Sequence, residues 1–223
     1  MNPVLRHGYL GRVRYGEAWR LQETIRDGIL LRGESPTLLQ LEHDPVITLG
    51  RSTRPEHLPV APEEIAARGI EVVTTSRGGS VTYHGPGQLV GYPVAPVRGG
   101  VRRHVEAIAG ALVETLHGLG VRARYRCDAP GVWVDGAKLA SIGLHVRRGV
   151  AIHGFALNVD PDLSCFDLIV PCGLAVRMTS LAAMLREPPT IAALADAVAG
   201  ALADRLGYRL APLPAAGLCA ASC

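Results

Sequence analysis

Long apolar runs are missing from this 223-residue sequence. No uninterrupted stretch approaches the roughly 20 residues that a membrane span needs. Met1 to Tyr15 carries basic residues without the apolar segment of a secretion signal, so a cytoplasmic protein with no membrane partner is expected. Aromatic residues are few, at 4%, which leaves the core to Val, Leu, Ile and Ala. Lysine is scarce and the basic residues are almost all arginine. No CxxC or HxxxH spacing occurs, so no metal site is expected. Basic tracts with interleaved aromatics are also absent, and a net charge of +3 is too small to point to nucleic acid. Five cysteines, an odd number with no secretion signal, read as free thiols rather than a disulfide framework.

What is present has the order of one α+β domain, expected over residues 1–210 and followed by a disordered tail at 211–223. Three segments carry helical periodicity. Trp19, Leu21, Ile25 and Ile29 mark a helix from about Gly16 to Leu31. Val101, Val105, Ile108, Leu112, Leu116 and Leu119 mark a second, stopped by Gly120. Ile191, Leu194, Val198, Leu202 and Leu206 mark a third, with Thr190 as N-cap. Short β-branched or apolar segments predict strands at Thr37–Leu41, Val46–Leu49, Glu71–Thr75 and Gln88–Val94. A three-stranded meander is expected between Val132 and Val159, turning at Asp135-Gly136 and again near Arg148-Gly149. The sheet should be mixed and largely antiparallel.

Two stretches point to chemistry. In Arg77-Gly-Gly-Ser-Val-Thr-Tyr-His-Gly-Pro-Gly-Gln88, five glycines and prolines fall within twelve residues. Such a segment brings backbone close to a ligand and exposes N–H groups. A phosphate cradle is weakly supported, because no Walker Lys-Ser/Thr follows. The bland alternative is a hairpin connection, which does not account for Arg77, Tyr83 and His84 among the glycines. The second stretch is Pro171-Cys-Gly173, where a tight turn presents Cys172. Most free cysteines are small buried hydrophobes; Cys127, which fits ordinary packing, and Cys165, outside the Pro-Cys-Gly turn, are weaker candidates. A nucleophilic thiol must lose its proton, and an unperturbed cysteine is mostly protonated at neutral pH. His84, His145 and His153 are candidate activators. Lys138 is another: an unbroken period of two puts it with Ala140, Ile142, Leu144 and Val146 on the apolar face, where burial lowers an amine's pKa. A lysine reaching out to solvent is the bland alternative.

Four blocks together resemble the bacterial lipoyl(octanoyl) transferases. They are Arg77 to Pro93, Lys138-Leu-Ala-Ser-Ile-Gly143, His153-Gly-Phe-Ala-Leu-Asn-Val159 and Pro171-Cys-Gly173, in the family's order. The resemblance implies a fold shared with biotin and lipoate protein ligases, in which a mixed sheet and helices enclose an acyl pocket. It implies that Cys172 accepts the acyl group and that Lys138 is its partner. It also implies a substrate site lined by Arg77, Gly78, Gly79, Ser80, Val81, Thr82, Tyr83 and His84, by Ser141, Ile142 and Gly143, and by Gly154, Phe155 and Ala156. The implied donor is octanoyl-acyl carrier protein. The implied acceptors are apo lipoyl domains of 2-oxoacid dehydrogenases and the glycine cleavage H protein, with no cofactor. Arg102, Arg103, Arg147 and Arg148 are candidates for docking an acidic carrier. The rival readings are an ATP-dependent lipoate or octanoate ligase, an amidotransferase between lipoyl domains and a non-catalytic acyl-binding module.

Overall fold

The computed structural model describes residues 2–170 and 176–214. Its centre is an eight-stranded sheet. In chain order its strands are β1 (Val4–Val13), β2 (Thr37–His43), β6 (Gln88–Pro96), β7 (Arg124–Arg126), β8 (Gly131–Val134), β9 (Ala137–Arg147), β10 (Val150–Asn158) and β11 (Arg209–Pro212). They lie side by side as β11-β1-β2-β6-β10-β9-β8-β7. Only the β11–β1 and β1–β2 junctions are parallel, so the sheet is mixed and largely antiparallel. A second sheet, β4-β3-β5, is built from β3 (Val46–Leu49), β4 (Glu71–Thr74) and β5 (Val81–His84).

Helices cover both faces of the large sheet, as expected where both faces are apolar. On one side α1 (Tyr15–Arg32) packs Ala18 and Leu21 on Leu39, Leu41, Val90 and Tyr92. Farther along the same helix, Ile25 and Ile29 meet Val94, Val150 and Ile152. On the other side α3 (Val101–Gly118) and α4 (Ile191–Leu206) pack on each other and on the sheet. There Ile108, Leu112, Leu116, Leu194, Val198 and Leu202 are fully covered or nearly so. The short α2 (Pro62–Ala67) and the turn at Leu163–Leu168 close the small sheet with Ile65, Phe166 and Leu168.

The local signals act as their chemistry dictates. Thr190 caps α4 by accepting from the Ala193 N–H at 3.3 Å. Both meander turns use a left-handed pair, Asp135-Gly136 with φ of 47° and 76° and Arg148-Gly149 with 50° and 80°. The C-terminal edge differs from expectation. β11 runs to Pro212 and Leu213 N–H donates to His7 O, so the first residues of the expected tail are sheet. Residues 215–223 lie outside the described residues.

Candidate active site

The glycine-rich segment is wired into its surroundings on two sides. Gly78 N–H donates to Leu144 O at 2.8 Å, so this amide is not available to an anion. On the opposite side, the turn after β3 donates from Arg51 N to Arg77 O and from Ser52 N to Gly79 O. The close approach requires glycine. A Cβ at Gly50 would collide with Gly79 O and Ser80 O, and one at Gly143 would sit 2.9 Å from Gly78 O. Arg77 is buried, its Nε donating to Thr48 Oγ1 at 3.0 Å and its Nη2 to Thr48 O at 2.5 Å.

Behind this segment lies a buried group of rings. Tyr15 and His84 stack at 6.4 Å, and His43 Nε2 lies 2.6 Å from Tyr92 Oη. Burial removes water from all three histidines here and disfavours their charged forms. His43 falls to about 4. His153 falls to about 3 through burial first and the neighbouring Arg77 and His145 second. His84 is pushed well below 6.5 by burial, then by His43 and Arg77. Tyr15 is raised to about 12, again mainly by burial.

His153 also carries backbone strain. It has φ of 60° in the middle of β10, where residues 152–154 leave the β6 ladder. Its N–H is satisfied from across the layer by Gln22 Oε1 of α1 at 2.7 Å. Left-handed non-glycine residues of this kind cluster at functional sites.

Lys138 stands at the start of β9. An extra residue, Leu139, breaks the period: Trp133 pairs with Lys138 whereas Val132 pairs with Ala140. The expected unbroken alternation through Ala140, Ile142 and Leu144 therefore does not hold. The lysine still reaches the cavity, with Nζ 5.5 Å from the Trp133 ring centroid. Its backbone is clamped by the segment that follows Pro171-Cys-Gly173 in the chain. Lys138 N–H donates to Arg177 O at 2.8 Å, and Thr179 N–H donates to Lys138 O at 3.0 Å.

These parts enclose one cavity of about 510 Å³, a volume suited to a small-molecule chain. Its wall includes Lys138 and every expected lining residue except Tyr83: Arg77 to Thr82, His84, Ser141 to Gly143, and Gly154 to Ala156. The Tyr83 ring instead meets Phe166 edge-on at 5.6 Å, in the small sheet's core. Cys172, with Pro171 and Gly173, lies outside the described residues. The chain on either side is held close by: Val170 N–H donates to His57 O, and Val176 and Met178 line the cavity. His145 is half-buried and does not line the cavity. Sequence reasoning missed a second wall: Tyr15, Arg51 and Tyr92, then Val101 and Val105 at the start of α3, and Tyr125, Pro130 and Trp133 near β7 and β8. Asp128-Ala-Pro-Gly131, a turn signal beside Cys127, was the available hint.

Residues 14–203 match the lipoyl protein ligase A/B catalytic domain. The chain belongs to that family. The octanoyltransferase of Chloroflexus aggregans is 44% identical over 201 residues, covering 87% of this chain and 91% of that protein. The octanoyltransferase of Chromohalobacter salexigens is 45% identical over 216 residues, covering 95% and 94%. Among solved structures, a bipartite lipoate protein ligase from Thermoplasma acidophilum superposes with a TM-score of 0.72 at 17% identity, covering 99% of this chain and 90% of that one. A biotin protein ligase from Aquifex aeolicus shares the fold more distantly, with a TM-score of 0.52 at 11% identity, covering 92% and 70%. The fold expected from the four sequence blocks is thus the family's fold. Among the described residues no helix is long and apolar enough to cross a membrane.

Proposed function

We propose that this family member is an octanoyltransferase of lipoate biosynthesis, passing octanoyl from its carrier-protein thioester to the lysine of an apo lipoyl domain through Cys172. One observation carries the reading. The only lysine in the sequence stands in the wall of the acyl-sized cavity, bonded through its backbone to the segment that follows Pro171-Cys-Gly173 in the chain. Cys172 gives its proton to Lys138 and the thiolate attacks the donor carbonyl. The bond to the carrier's thiol breaks, and that sulfur takes the proton back from Lys138. The acceptor lysine then attacks the acyl-enzyme. Its nitrogen releases a proton through Lys138 to the departing Cys172 sulfur as the amide forms.

The histidines are poor rivals for the proton-carrying role. A useful base has a pKa near the working pH, and burial holds His84 and His153 well below it. Exchange of a thioester for an amide is downhill and requires no ATP. The donors and acceptors served are carrier protein and the lipoyl domains of 2-oxoacid dehydrogenases and the glycine cleavage H protein, in the cytoplasm.

Initial rates with both substrates varied test the order. Parallel reciprocal lines without ATP are expected. Converging lines, or an absolute ATP requirement with free octanoate, contradict it. Lys138→Met should slow acyl-enzyme formation by about 100-fold or more, and an unchanged rate removes Lys138 as the proton carrier.

A further inference from the structure

A lysine side chain has four rotatable bonds and considerable freedom to lose. Lys138 is confined on several sides. Trp133 lies directly across the β8–β9 ladder from it, with Nζ 5.5 Å from the indole centroid. The indole is itself fixed: it is buried, and its Nε1–H donates to Ala129 O at 3.0 Å. Arg126 sets its guanidinium carbon 4.8 Å from the same centroid and is paired with Asp128. Beside the ring, Gly131 leaves the space that the lysine stem occupies, since a Cβ there would collide with Lys138 Cε. The backbone bonds to Arg177 and Thr179 hold the base of the side chain.

We propose that Trp133 is a positioning residue for the transfer reaction, its indole face and the slot beside Gly131 holding the Lys138 amine toward the cavity. The proposal rests on the reading of Lys138 as the proton carrier. A ring suits that role better than a carboxylate would. An ion pair holds a lysine only while it is protonated and favours keeping the proton in place. An aromatic face attracts the ammonium and still packs the methylenes of the neutral amine, so the nitrogen stays put through each protonation change. The ring itself takes up none of the nitrogen's lone pair.

Trp133 also lines the cavity, so simple acyl contact is the competing role, and the test separates the two. Trp133→Leu keeps an apolar wall without a ring, whereas Trp133→Phe keeps a ring. At saturating octanoyl donor, W133L should lose about tenfold in acyl-enzyme formation with KM changed less than about twofold, and W133F should recover most of it. With lysine labelled at Cε by carbon-13, the single lysine gives one NMR signal. A ring-current shift should be present in the native protein and W133F and absent in W133L. A raised KM with an unchanged saturating rate, or a lysine signal that W133L does not move, overturns the proposal. Thermal unfolding checks each variant, and Trp133→Met carries the same test should W133L fail to fold. The NMR signal reports the contact whether or not Lys138 carries the proton, so failure of that reading, seen as full activity in Lys138→Met, is distinguished from failure of this one.

Discussion

At the scale of single residues, the site depends on backbone approaching backbone. Gly154 lies against Gly91 O and Pro93, and Gly91 lies against the Phe155 ring, so neither has room for a methyl group. Gly154→Ala should destabilise the fold by about 2 kcal/mol, read by denaturant unfolding, because the clash is with main chain that cannot rotate away. The buried histidines set a pH dependence. His43 and His153 hold pKa values of about 4 and about 3 in the folded state, against about 6.5 when unfolded. Above pH 6.5 both states are neutral and stability is full. Below it the unfolded chain binds protons that the folded state refuses, so stability falls as pH drops from 6.5 toward 4, by up to about 1.4 kcal/mol per pH unit per histidine. His43→Gln should flatten unfolding free energy against pH by about that slope. The glycine block, Lys138 and the His-Gly-Phe-Ala run were legible in the sequence because their residue types are costly anywhere else. The position of the Tyr83 ring was not, since its neighbours on β5 share the cavity and only packing on Phe166 decides where the ring goes.

At the scale of elements, legibility followed the strength of local chemistry. The second and third helices began where periodicity placed them, and the two meander turns fell on the expected dipeptides. β1 was not legible because its ten residues are mostly half-buried and lack alternation. β7 is three residues long, and β11 is written in Arg, Leu, Ala and Pro. The Leu139 bulge was equally hidden, since an extra residue shows only against the partner strand. That bulge and the Asp135-Gly136 turn together set Trp133 across from Lys138. Gly136, at φ of 76°, has little tolerance for a β-branched side chain. Gly136→Val should cost about 1–2 kcal/mol and reduce transfer more than stability alone explains. Unfolding midpoints and acyl-enzyme rates measured on the same preparation check both effects.

At the scale of the molecule, the topology was the least legible feature. The parallel pairings of the large sheet join residues 4–7 to 209–212 and 6–13 to 37–43, and no local signal specifies partners so far apart. The resulting arrangement explains why four separate sequence blocks make one site. β10 lies between β6 and β9, and the small sheet folds the glycine segment onto β9. Met178, in the segment that follows Pro171-Cys-Gly173, then bridges to Lys138. The described residues thus form a cavity with a lysine in its wall, flanked by chain leading to and from Cys172. The most direct measurement is mass spectrometry of intact protein and peptides after mixing with octanoyl-acyl carrier protein in the absence of ATP. A hydroxylamine-sensitive octanoyl adduct on Cys172, discharged by an apo lipoyl domain, is the predicted result. No adduct, with octanoate used only when ATP is added, would contradict the covalent transferase.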